Sequence, residues 1–142
     1  MMDTMKFSEN ILQLLDQTIL PHEICYVSCR TLNEVAEAIK TMKVRGAPAI
    51  GAAAAFGLVI AANNYCLQPE NFDSYINDAA IILKKTRPTA VNLFWAIDRM
   101  LCAYQEVKHD SLQIICDRLN VEAKAIFDED IASNKRRLFS CG

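Results

Sequence analysis

Two short segments of this 142-residue chain each place an arginine just ahead of an expected helix start. In the first, Arg45–Gly46–Ala47–Pro48, the guanidinium supplies a fork of donors and Gly46 lets the main chain come close to a ligand. Pro48 suits a first helical turn, whose unpaired N–H groups and dipole favour an anion. In the second, Arg87 precedes Pro88 and Thr89, with Thr86 or Thr89 expected to cap the next helix. Together the two segments have the composition of a cradle for a phosphate or carboxylate. Spacing leaves a plainer reading open for each: a surface arginine ahead of a core helix, or Lys84, Lys85 and Arg87 complementing the end of the preceding helix.

Other reactive side chains are less organised. His22, Cys25 and Cys29 offer three potential zinc ligands, but on a strand the two cysteines would stand roughly 13 Å apart, and no second ligand pair follows. No metal site is expected. The six cysteines form no C-x-x-C pair and are expected to be reduced and mostly buried. His22 and His109 fall in polar surroundings and are expected to be solvated. Phe94, Trp95 and Tyr104 lie at helical spacing and are read as core, whereas Glu34, Glu37, Asp98 and Glu106 lie on polar helix faces with no partner visible in the sequence. The chain has no Walker loop, G-x-G-x-x-G, serine elbow or H-E-x-x-H.

The elements that must position the arginines are mostly helical. Residues 8–15 read as a short apolar helix or turn, and 17–20 and 23–29 as two short strands. Thr31 with Glu34 forms a capping box ahead of an amphipathic helix over 32–43. From Ala47 to Ala62 no polar side chain occurs, so a helix reaching about Tyr65 must be buried on most sides, with Gly51 and Gly57 allowing close packing. Its apolar run falls short of the roughly 20 residues that cross a bilayer. Three further helices are expected: Ser74 to about Lys84, Thr89 to Val107, and Ser111 to about Asp130. The tail from Asn134 breaks the pattern.

These elements imply one mainly α domain with a small β-sheet (α+β). Apolar residues at 52% and charged residues at 23% exclude disorder, and a net charge of -2 gives no footprint for nucleic acid or an anionic membrane. The first ten residues lack the basic start and apolar core of a secretory signal, so a cytoplasmic location is expected.

The stretches LLDQTILP (14–21), AIKTMKVRGAPAIGAAAAFG (38–57) and RPTAVNLFWAIDRM (87–100) resemble the N-terminal region of S-methyl-5-thioribose-1-phosphate isomerases. That resemblance runs from about residue 11 to Asn134 and extends to the regulatory subunits of translation factor eIF2B. It implies a helical N-terminal domain over 1–133, a divergent tail over 134–142 at a truncation point, and no Rossmann-like second domain in this chain. It implies a sugar-phosphate substrate held by Arg45, Gly46, Ala47 and Arg87, with no cofactor. The reacting cysteine and aspartate of such isomerases lie in the second domain, so no catalytic residue is transferred here, Cys141 included. Expected partners are the missing C-terminal domain or a full-length subunit, in a protein that forms homodimers. The resemblance also leaves open a non-enzymatic regulatory or interaction module of the eIF2B-subunit type, or a shortened chain that modulates a full-length subunit.

Overall fold

The computed structural model describes residues 5–15, 26–41, 47–65 and 69–140. Strands β1 (Met5–Ser8), β2 (Ile11–Leu15) and β3 (Tyr26–Cys29) form an antiparallel sheet in that order. Helices α1 (Leu32–Lys40), α2 (Ala47–Asn64), α3 (Phe72–Thr86), α4 (Val91–Val107) and α5 (Leu112–Ser140) follow, with one 3-10 turn at Pro69–Asn71.

The first correction concerns residues 8–15. Instead of a helix or turn they complete a hairpin, with Ser8 opposite Ile11 and Met5 opposite Leu14. Glu9 and Asn10 both have positive φ, 51° and 61°, as a two-residue type I′ turn requires. Side-chain bonds hold that unusual backbone. Asn10 Nδ2 donates to Asn64 Oδ1 at 2.9 Å, and Asn63 Nδ2 donates to Asn10 Oδ1 at 3.0 Å. Asn64 Nδ2 in turn donates to the Arg30 carbonyl at 3.0 Å, so the hairpin tip is tied to the end of α2 and the start of α1. The expected strand at 17–20 and the first part of the one at 23–29 lie outside the described residues.

Alternation along the strands turns Met5, Leu12, Leu14 and Cys29 inward, while Lys6 and Gln13 face solvent. This inner face meets α2, which is buried from Ile50 to Ala62 and packs against α1, α3, α4, α5 and β2. Phe56 is the junction: its ring stacks on Phe7 of β1 at 4.8 Å and meets Phe127 of α5 edge-on at 6.2 Å.

The expected capping box forms. Glu34 N–H donates to Thr31 Oγ1 at 3.2 Å, and the Glu34 carboxylate accepts from Arg30 N–H at 2.9 Å. α1 is capped by Thr41, and Met42 lies outside the described residues. α3 turns Phe72, Ile76, Ala79, Ala80 and Leu83 inward at helical spacing.

α4 keeps Tyr104 in the core as expected and packs Phe94 partly against it, but turns Trp95 outward. Leu93, Ala96, Ile97, Met100, Ala103 and Tyr104 are buried, leaving Trp95 53% exposed with Arg99 5.4 Å over its ring. Trp95 is therefore not core, because α4 carries apolar residues on more than one face and packing selects between them. α5 also outruns its expected end at about Asp130, continuing to Ser140. Asn134–Ser140 contains lysine, arginine and leucine, which continue a helix readily, and no glycine or proline to stop one.

Replacing Phe56 by alanine removes the ring shared by β1, α2 and α5, and is expected to destabilise the protein by about 3–5 kcal/mol. Equilibrium urea unfolding measures this; a loss below 1 kcal/mol would place the packing junction elsewhere.

Candidate functional site at two helix starts

Arg45 and Gly46 lie outside the described residues, while Ala47 is the first residue of α2. Arg87 is the C-cap of α3, half-buried with an extended backbone (φ -145°, ψ 83°). Its carbonyl accepts from Ala90 N–H at 3.0 Å, closing a turn over Arg87–Ala90 that delivers the chain into α4.

That turn moves the start of α4 from the expected Thr89 to Val91, with Ala90 as a cap that has no side-chain bond. The Ala90 carbonyl accepts from Leu93 N–H at 3.1 Å and Phe94 N–H at 3.2 Å. The N–H groups of Val91 and Asn92 have no backbone partner among the described residues. Neither expected threonine caps α4: Thr86 Oγ1 donates instead to the Leu83 carbonyl at 2.6 Å, closing the end of α3. An uncapped helix start keeps its first donors available for an outside acceptor.

The starts of α2 and α4 are brought together by a contact between backbones. A Cβ built on Gly51 would stand 2.9 Å from the Asn92 carbonyl oxygen and 3.4 Å from Ala96 Cβ. Gly51 lies one turn into α2, about 6 Å along the axis from Ala47, and Asn92 is the second residue of α4.

The flanks of α4 are also fastened. Lys84 Nζ donates to Asp98 Oδ1 at 2.8 Å and lies 5.8 Å from the Phe94 ring centre. This lysine therefore links α3 to α4, which accounts for its position without requiring it to complement the end of α3. On the other side Arg99 forms a forked pair with Glu129, at 2.6 and 2.9 Å, and a further bond to Glu122. Arg118 donates to Glu122 at 2.7 Å and to Glu106 at 3.2 Å. Sequence reading found no partner for Asp98 or Glu106 because these pairs form between helices.

The remaining candidates fall away from the helix starts. Tyr104 donates to Asp73 Oδ1 at 2.9 Å; burial and that bond push its phenol up to about 12. Burial and neighbouring Glu34 push the Cys29 thiol up to about 11, keeping it protonated and poorly suited to metal binding or attack. Cys102 is exposed and Cys116 half-buried, both free, so burial is not general among the described cysteines. His109 is exposed beside an open groove of about 690 Å³ that also reaches Asp73 and Tyr104. This groove lies near the opposite end of α4, about 18 Å along the helix from Asn92. His22 and Cys25 lie outside the described residues. No described helix is long and apolar enough to cross a membrane.

The fold defines a mainly helical domain with a flanking antiparallel sheet, in which the first turns of α2 and α4 lie against each other. The pattern of the Initiation factor 2 subunit family matches residues 43–140, and the chain belongs to that family.

Its relatives include the methylthioribose-1-phosphate isomerase of Carboxydothermus hydrogenoformans, 54% identical over 135 residues that cover 95% of this chain and 39% of the relative. The isomerase of Pelotomaculum thermopropionicum is 49% identical, covering 96% and 38% respectively. Among solved structures, 5-methylthioribose 1-phosphate isomerase from Pyrococcus horikoshii superposes with a TM-score of 0.87 at 42% identity, covering 91% of this chain and 36% of that one. Subunit delta of translation initiation factor eIF-2B from A. fulgidus gives 0.84 at 36% identity, covering 92% and 38%. The chain thus spans about two fifths of the length of these curated relatives.

The α4–α5 ion pairs carry a pH dependence. Burial pushes the Glu122 carboxyl up, but bonds from Arg99 and Arg118, with their charges, outweigh it and hold the group below its ordinary 4.5. Arg99 similarly holds Glu129 down. A depressed carboxyl adds stability that is present above the unfolded value and lost as pH falls through the folded one. Urea unfolding is therefore expected to show stability declining as pH falls below 4.5, with Glu122→Gln costing about 1–3 kcal/mol at pH 6. In that variant the decline should be shallower; an unchanged pH profile would rule out the Glu122 contribution.

Proposed function

We propose that this chain supplies the substrate-phosphate side of a methylthioribose-1-phosphate isomerase. The reaction converts 5-methylthioribose 1-phosphate to 5-methylthioribulose 1-phosphate, within methionine salvage in the cytoplasm. Arg45 and Arg87 provide charge-assisted bonds to the phosphate, while Gly46 and Ala47 bring backbone close to it. Residues 1–133 form this binding domain and 134–142 a tail of divergent sequence, whose first part continues α5. The observation that supports the reading most directly is the close approach of the α2 and α4 starts at Gly51 and Asn92, immediately beyond the two arginine segments. The name shared by relatives up to 54% identical over nearly the whole chain supports the substrate assignment.

The isomerisation opens the sugar ring and transfers one hydrogen from C2 to C1, leaving a carbonyl at C2. Atoms and electrons balance without an external oxidant or reductant. A phosphate on C1 blocks opening to a free aldehyde, so the reacting carbons must be held in register and shielded from water. Two arginines on adjoining helix starts would hold the phosphate end, while hydrogen transfer falls to a cysteine and an aspartate of the second domain that such isomerases contain. This chain alone is therefore proposed to bind substrate weakly and not to turn it over. Its productive partners are the C-terminal domain or a full-length subunit, in a homodimer.

The 36% identity to the eIF-2B delta subunit favours one second reading, a regulatory module that binds other protein subunits without catalysis. Co-purification with translation-factor subunits, together with failure to bind sugar phosphate, would select it.

In a protein of the relatives' full length, Arg45→Ala and Arg87→Ala are each expected to raise KM for the sugar phosphate by about 10-fold or more, the cost of a charged hydrogen bond. Residues 1–142 alone should give no ketose product in the same assay. Unchanged KM in both variants would refute the anchor, and clear turnover by the 142-residue chain would refute the division of labour.

A further inference from the structure

We infer that the outer face of the first half of α4, at Val91 and Trp95, is a docking surface for the polypeptide that follows α5 in the longer isomerases. The inference rests on the reading of this chain as one part of such an isomerase, and it names the face against which the next part packs.

Val91 and Trp95 are one helical turn apart and share a face. Val91 is 76% exposed and Trp95 53%. The tryptophan is nevertheless held in place. The Arg99 guanidinium lies 5.4 Å from the ring centre and is itself clamped by Glu122 and Glu129 of α5. The ring thus presents an apolar surface that is ordered before any partner arrives, the property that makes tryptophan an effective interface anchor.

The ion pairs also fix where this surface lies. Arg99 of α4 reaches Glu122 and Glu129, whereas Glu106, two turns later, meets Arg118, earlier in α5, so the two helices run antiparallel. Trp95 and Val91 precede Arg99 by about 6 and 12 Å along α4. They therefore stand beside the stretch of α5 beyond Glu129, towards its end at Ser140. The family pattern matches through residue 140, and the matched part makes up 39% of the Carboxydothermus hydrogenoformans isomerase. In a chain of that length the remaining polypeptide leaves from the end of α5, next to Val91 and Trp95. Val121 and Ile114 are exposed as well, but they flank Arg118, back along α5 and away from that exit. Patch size also favours a tethered neighbour over a second copy. Two side chains fall far short of the roughly 800 Å² per partner that a stable association of free molecules buries, whereas a tethered part meets the patch at high effective concentration.

Hydroxyl-radical footprinting read by mass spectrometry tests this on two proteins: the 142-residue chain, and residues 1–140 continued by the C-terminal part of the C. hydrogenoformans isomerase. Oxidation of Trp95 is expected to fall about fivefold or more in the joined protein, as for a residue at the core of an interface, while Val121 and Ile114 keep their rates. Val91→Asp places an acidic residue where a helix start accepts one. It should leave the urea midpoint of the 142-residue chain unchanged and return Trp95 oxidation in the joined protein to the level of the shorter chain. Equal Trp95 oxidation in the two unmodified proteins would overturn the docking face. So would concentration-dependent protection in the 142-residue chain alone, which would assign the face to a second copy. Ketose formation by the joined protein separates the two readings: protection without turnover would overturn the isomerase reading and leave the docking face, and turnover without protection would do the reverse. If the joined protein does not fold, the intact C. hydrogenoformans isomerase compared with its own N-terminal part, at the α4 position aligned with Trp95, decides in the same way.

Discussion

The fold depends on one constraint: α2 is apolar around its whole circumference and must be enclosed. An ordinary surface helix hides one stripe, but a helix without a polar face needs neighbours in every direction. α1, α3, α4, α5 and the inner face of the sheet supply them. Because α2 is made largely of alanine and glycine, its neighbours approach its axis closely, and small residues there determine where they lie. Larger side chains then lock the arrangement, as Phe56 does between Phe7 and Phe127.

The same constraint connects packing to the candidate site. α4 is held against α2 by a backbone contact at its first turn, against α3 by Lys84–Asp98, and against α5 by the Arg99 and Arg118 network. Charges are partnered between helices on its flanks, while the Ala90–Asn92 start lacks a side-chain cap. A helix held firmly along its length, whose first donors have no backbone partner among the described residues, is a suitable part for orienting a ligand, because little ordering remains to be done when the ligand arrives.

How much of this was legible in sequence depends on the range of the interaction. The burial of α2 follows from its composition, and the α1 start follows from a local Thr–Glu pair. The hairpin was hidden because type I′ turns usually announce themselves with Asn-Gly or Asp-Gly, whereas this one uses Glu9–Asn10 and relies on Asn63 and Asn64, more than fifty residues away. Trp95 was misplaced because Phe94, Trp95, Ile97, Leu101 and Tyr104 allow more than one inward face, and only packing against α2 and α5 selects among them. In the candidate site, Arg87 and the approach of a helix start were visible, but the turn that shifts the start from Thr89 to Val91 was not. Gly51 could be marked for close packing, but its partner, a carbonyl forty-one positions later, left no local signal.

The resolved proton affinities bear on how binding and chemistry divide. General acid–base work near neutral pH needs groups tuned toward 7. Tyr104 and Cys29 are instead pushed up to about 12 and 11, while Glu122 and Glu129 are held below the usual carboxylate value by arginines. Each environment fixes its group in one protonation state at neutral pH: phenol, thiol and carboxylate serve as hydrogen-bond donor, core filler and ion-pair partner. Such groups suit a rigid frame better than proton transfer. The proposed role as the phosphate-holding part of an isomerase follows the same physical logic, since an anchor must stay charged and still while another part of the enzyme moves the hydrogen.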